Sequence, residues 1–71
     1  MNQASWKRIL DKYAQEIGSS RRIVVLFKAA HEHVAGTIKE LDEDFLVIGT
    51  EDGRGIQGIV ALEEVAGIRT P

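Results

Sequence analysis

The hydrophobic pattern of this chain changes once, near Ser19 and Ser20, and this change limits the fold more than any other feature. After it, short β-branched and aromatic runs alternate with turn residues, which is typical of strands. Before it, apolar residues recur at the spacing of an amphipathic helix. They are Trp6, Ile9, Leu10, Tyr13 and Ile17.

We therefore expect a helix over about residues 4–17, capped by Asn2 or Ser5 and ended by Gly18. Strands are expected at about 21–29, 34–41, 45–50, 56–62 and 65–69. Gly36 inside the second strand indicates a sharp bend or a close backbone approach. The fold class is mainly β: an N-terminal α-helix followed by a five-stranded, strongly bent antiparallel SH3-like barrel, in a single domain over residues 1–71.

A chain of 71 residues buries too little surface to be very stable alone. Cysteine is absent, which excludes disulfides and thiolate metal sites. Oligomerisation is the remaining common source of extra burial, so we expect a homo-oligomer. No apolar run is long enough to span a bilayer, and the N-terminus lacks the apolar core of a signal peptide. We expect a cytoplasmic protein without a membrane partner.

The charges are unevenly distributed. Residues 1–28 carry six cations and two acids, or +4, whereas residues 29–71 carry three cations and nine acids, or −6; together they give the net charge of −2. One basic and one acidic face could result, although such charges can also simply solvate a surface.

Two patterns suggest ligands, and both have simpler explanations. Residues 53–58 read GRGIQG, a literal dinucleotide fingerprint, but the following residues favour a strand where a phosphate site needs a helix. His31 and His33 could share one side of an extended segment, yet zinc needs further ligands from a Glu or a symmetry mate. No set of nucleophile, base and orienting group is visible. We expect no catalytic residue, no metal site, no cofactor and no enzymatic activity.

Residues 36–42, GTIKELD, resemble the first motif of the Sm-like (LSm/Hfq-like) family, which reads G-x-hydrophobic-x-x-x-D. Gly36, Ile38 and Asp42 occupy its fixed positions. Four further segments resemble elements of the family: IVVLFK its first strand, FLVI its third strand, IQG its second motif and VAGI its last strand. The resemblance covers about residues 5–70. It implies a bent five-stranded barrel, with the fourth strand of one subunit pairing with the fifth of the next to form a ring. It also implies binding of single-stranded, often uridine-rich RNA.

The residues that bind RNA in that family are replaced here. Asp44 and Leu46 stand where a stacking residue and an asparagine are expected, and Gln57 stands for the arginine of the second motif. Leu62 and Glu63 fall near the Lys-His pair of Hfq. A shift of one residue would make Phe45 the stacking group.

These replacements predict RNA binding in a non-standard mode, with a large phosphate contribution and a steep salt dependence. The alternative is an oligomeric scaffold for protein interactions that has lost RNA binding. The candidate RNA-binding residues are Lys7, Arg8, Lys12, Arg21, Arg22, Asp42, Phe45, Gln57 and Gly58.

Overall fold

The computed structural model describes residues 2–18, 20–29 and 32–70. Helix α1 spans Gln3–Tyr13 and continues as a π-helical turn over Ala14–Gly18. The strands are β1 (Ile23–Phe27), β2 (His33–Leu41), β3 (Phe45–Gly49), β4 (Ile56–Ala61) and β5 (Val65–Arg69). A single 3₁₀ turn, Leu62–Glu64, connects β4 to β5. The predicted mainly β fold with an N-terminal helix is therefore confirmed.

Both ends of the helical segment follow from local chemistry. The Asn2 side chain accepts a hydrogen bond from the backbone N–H of Ser5 at 2.9 Å, so Asn2 is the cap. Gly18 ends the segment with φ of +116°, a conformation that L side chains rarely adopt. In the described residues, no helix is both long and apolar enough to cross a membrane.

The predicted apolar stripe is wrong at its last residue. Trp6, Leu10 and Tyr13 are buried, but the Ile17 side chain is 49% exposed. The physical reason is the π-helical turn, which contains more residues per turn than an α-helix and rotates Ile17 away from the stripe.

The five strands form one antiparallel sheet in the order β4-β3-β2-β1-β5. The first half of β2 pairs with β1, and the second half pairs with β3. The sheet bends between these halves, and a register shift follows between Ile38 and Glu40. The barrel-like sheet encloses a core that also takes in one face of the helix. Its buried members are Trp6, Leu10, Tyr13, Ile23, Val25, Ile38, Leu46, Ile48, Val60, Leu62 and Val65.

Gly36 lies at the bend, as the sequence predicts. A Cβ atom at this position would come within 2.3 Å of the Gly49 carbonyl oxygen and 2.6 Å of Ile48 Cγ2. The two strands approach this closely because Gly36 has no side chain.

The strand ends differ from expectation in small ways. β1 is shorter than the predicted 21–29, and Arg21 and Arg22 lie before it. β4 ends at Ala61 because Leu62 begins the 3₁₀ turn, whereas β2 already begins at His33. The expected turn before β2 includes Ala30 and His31, which lie outside the described residues.

Candidate functional site

The residues predicted from the two Sm motifs are not brought together. Asp42 and Phe45 lie at the turn between β2 and β3, whereas Gln57 and Gly58 lie at the start of β4. In the β3–β4 ladder Phe45 is opposite Ala61, and Gly58 is opposite Ile48. Three residues of strand, or about 10 Å, therefore separate the two groups along the ladder. The candidate residues from the two motifs therefore form two separate groups on the sheet.

The segment that meets the β2–β3 turn is instead the 3₁₀ turn, because the backbone N–H of Leu62 donates to the Asp44 carbonyl at 2.9 Å. The carboxylates of these two turns form what we call the acidic end of the molecule. It comprises Asp42, Glu43, Asp44, Glu63 and Glu64. Five carboxylates repel a phosphate backbone, so this end is unsuited to RNA. The acidic residues are visible in the sequence, but the contact between the β2–β3 turn and the 3₁₀ turn is not.

Asp42 has a local structural role in this turn. Its carboxylate accepts a hydrogen bond from the backbone N–H of Glu43 at 2.7 Å, and its own N–H donates to the Phe45 carbonyl at 2.9 Å. Phe45 itself is half-buried. The geometry of a tight turn thus accounts for the aspartate without a ligand.

The start of helix α1 lies against the acidic end. Gln3 Nε2 donates to the Glu43 carbonyl at 3.2 Å and also to the Asp44 carboxylate. A helix N-terminus carries partial positive charge, so nearby carboxylates are stabilised there. The opposite end of the helical segment faces Arg22, whose carbonyl accepts from the Tyr13 hydroxyl at 3.2 Å.

Two of the three helix cations predicted to bind RNA are paired with carboxylates. Lys7 Nζ lies 2.8 Å from Asp11 Oδ2 and 3.9 Å from Glu43 Oε1. The hydrogen bond to Asp11 raises the pKa of Lys7. Lys12 Nζ lies 3.9 Å from Glu16 Oε1. Arg8 is exposed, and no carboxylate of the described residues lies within 4 Å of it.

Arg21 and Arg22 line a pocket of about 360 Å³ beside the end of β5, together with Tyr13, Ile17 and Thr70. We call it the arginine pocket. Arg22 Nε lies 3.3 Å from Glu51 Oε1, whereas no described carboxylate lies within 4 Å of Arg21. The sequence predicts these arginines as ligand contacts but not the apolar wall that Ile17 adds.

Among the described residues, both edges of the sheet are open, and the two edge strands contain a single charged residue. Strands β4 and β5 are the outermost strands. β4 contains neither a charged residue nor a proline, and its Ile56 and Ile59 side chains are 57% and 67% exposed. In β5 only the final Arg69 is charged. Soluble proteins usually protect such edges with charges or proline, because bare edges pair with other chains.

No family model, curated protein or solved structure matches the chain.

The remaining candidate ligands of the sequence gain no support from their surroundings. His33 is exposed at the start of β2, and His31 lies outside the described residues. No group of three potential metal ligands occurs within residues 2–18, 20–29 and 32–70. The glycine-rich residues 53–58 run into strand β4, so no helix N-terminus follows them to bind a phosphate.

Proposed function

We propose that this protein is a self-assembling Sm-like module whose copies join by pairing β4 of one copy with β5 of the next. The observation that carries the proposal is the pair of open edges: β4 has no charged residue and exposes Ile56 and Ile59, and β5 has a charge only at its last residue, Arg69. The two edges belong to different strands, so the contact is heterologous, and repeated copies form a closed ring if the rotation closes. The sequence resemblance to the Sm-like family supports the same mode of assembly.

Assembly would also supply the burial that a 71-residue chain lacks. Pairing the two edges would satisfy backbone N–H and C=O groups that otherwise face water. It would also cover the Ile59 side chain, which is 67% exposed in the single chain. Each large aliphatic side chain that becomes fully buried contributes about 1.5–3 kcal/mol.

We expect the parent protein to be an oligomer at micromolar concentration, and Ile59→Lys to be a monomer. The lysine would place a charge in the middle of the β4 edge, where pairing would remove it from water. Multi-angle light scattering and native mass spectrometry measure the mass directly. Ala29→Lys is the control, because Ala29 is an exposed residue in the connection between β1 and β2. A monomeric parent, or an Ile59→Lys variant that still assembles, would contradict the proposal.

RNA binding is a second candidate function, favoured by the exposed residues Arg8 and Arg21, which lack a described carboxylate partner. Because Lys7 and Lys12 already have partners, few cations remain for phosphates. We therefore expect weak contacts that centre on Arg8 and Arg21. If RNA binding is absent, the assembly itself is the function, as a scaffold for other proteins.

The expected result for labelled oligo-U and oligo-A is weak binding at low salt that is lost at physiological salt. Each phosphate contact adds about 0.7 to the slope of log affinity against log salt for single strands. The double variant Arg8→Ala, Arg21→Ala should bind less RNA at low salt. Arg54→Ala is the control, because it removes a cation from the loop before β4. Absence of binding at low salt by a verified oligomer would eliminate the RNA function.

A further inference from the structure

We propose that the arginine pocket is an intersubunit socket that receives loop 50–55 of the neighbouring copy, with that copy's Glu51 carboxylate held by Arg21. The inference rests on the proposed edge-to-edge assembly and adds a specific ionic contact to it. The occupant is a second copy of this chain.

The position of the pocket is the first reason. Thr70 lines the pocket and directly follows Arg69, the last residue of β5. Since β5 is an open edge, a strand that pairs with it lies about 4.8 Å away. The residues of the neighbour that flank the added strand at this end of β5 therefore lie next to the pocket.

Strand direction decides which segment of the neighbour this is. All four ladders within the chain are antiparallel. If the added β4 continues this pattern, its first residue lies beside the last residue of β5. The residues just before β4 are loop 50–55, so this loop is the part of the neighbour that reaches the pocket.

Internal hydrogen bonds hold loop 50–55 in a defined conformation in the single chain. The backbone N–H of Thr50 donates to the Gly55 carbonyl at 3.0 Å, and the N–H of Gly55 donates to Thr50 Oγ1 at 3.0 Å. Gly53 adopts the left-handed φ of 76° that closes the turn. A loop that is already ordered loses less entropy on docking.

The Asp52 carboxylate is engaged inside the loop, whereas Glu51 contacts Arg22 of its own chain through one oxygen, Oε1, and can still accept from a partner through the other. The Asp52 carboxylate accepts from the Thr50 hydroxyl and from the backbone N–H of Arg54. The hydrogen bond from Thr50 lowers the pKa of Asp52, which keeps this loop acid ionised. The Glu51 side chain is 70% exposed.

The charges of loop and pocket are complementary. Arg21 and Arg69 have no carboxylate of the described residues within 4 Å, so positive charge at this end of β5 is largely uncompensated. The contact between Arg22 and Glu51 within one chain, at 3.3 Å, shows that this loop and these arginines already lie at neighbouring positions around the barrel. Complementary charges at an interface fix orientation and reject wrong registers. Within one chain Glu51 reaches Arg22, and a second copy would supply the carboxylate for Arg21.

The test is a charge swap in the intact chain, read by light scattering over a concentration series. We expect Arg21→Glu and Glu51→Lys each to raise the concentration needed for half-assembly by about tenfold or more, because each places like charges in the socket. The double variant should regain part of the lost assembly, since each socket again contains two opposite charges, although the new lysine at position 51 then lies beside Arg22 of its own chain. Arg8→Glu is the control for Arg21→Glu, with the same change of net charge on an exposed arginine that has no carboxylate of the described residues within 4 Å.

The outcomes separate this inference from the proposed assembly. If the parent assembles and Ile59→Lys does not, the edge contact stands whatever the socket variants do. Unchanged assembly of Arg21→Glu, or a double variant that fails to recover, would overturn the socket. An Arg21→Glu variant that assembles normally but loses oligo-U binding would overturn it as well, and would identify the pocket as a nucleic-acid site.

Discussion

Gly36→Ala is expected to destabilise the fold by about 3 kcal/mol or more, because overpacking commonly costs about 1–3 kcal/mol and the obstructing atom here is backbone. The added Cβ would lie 2.3 Å from the Gly49 carbonyl oxygen. Gly49 belongs to β3 and cannot move without breaking its pairing with Thr37. For a domain of this size the melting temperature should fall by about 12 °C or more.

Thermal and urea unfolding measure this effect in the Ile59→Lys background, which we expect to be monomeric, so that the proposed assembly would not contribute to stability. Gly67→Ala is the matched control: its Cβ would meet only Leu26 Cδ1, at an ordinary 3.6 Å. An unchanged melting temperature for Gly36→Ala would show that β2 and β3 are not as close at this point as the structure places them.

Leu10→Ala is expected to cost about 2–5 kcal/mol, the range for removing a fully buried leucine side chain. Leu10 has no exposed surface and belongs to the same core cluster as the strand residues Ile23 and Leu46. Its loss would leave a cavity between the helix and the sheet. The prediction tests whether the helix is part of the core or an attachment to it.

Ile17→Ala provides the comparison, since this isoleucine lies in the same helical segment but is about half exposed. Its cost should be about 1 kcal/mol or less, because less apolar surface is removed from contact. Urea midpoints, again in the Ile59→Lys background, give both values. Equal effects for the two substitutions would mean that the helix packs loosely against the barrel.

Local patterns predict most of the fold. The helix, a cap at Asn2 or Ser5, and the succession of five strands along the chain follow from periodicity and turn residues, because these depend on neighbours along the chain; the structure selects Asn2 as the cap. The bend at Gly36 is also predicted, since glycine inside an apolar strand is unfavourable without a reason. Ile17 is missed because a π-helical turn leaves no clear signal in the apolar spacing.

The candidate site was less predictable, for a different reason. The sequence indicates residues whose side chains could bind RNA. Whether the fold brings these residues together depends on strand register and on contacts between distant turns. Gln57 is separated from Asp42 by the β3–β4 register, and Lys7 is partly neutralised by Glu43 from another turn. Neither relation can be inferred from spacing along the sequence. The open edges are easier to anticipate, because an uncharged β4 is visible directly in the residues Ile56–Ala61.

The way in which β2 is shared between the two halves of the sheet has a geometric consequence for assembly. The half that contains β1 ends at the β5 edge, and the half that contains β3 ends at the β4 edge. β2 pairs with β1 in the first half and with β3 in the second. The bend beside Gly36 therefore sets the angle between the two open edges. In a closed ring of identical copies, this angle determines how many subunits complete the circle. Substitutions that open or close the bend without unfolding the chain should change the subunit number before they abolish assembly.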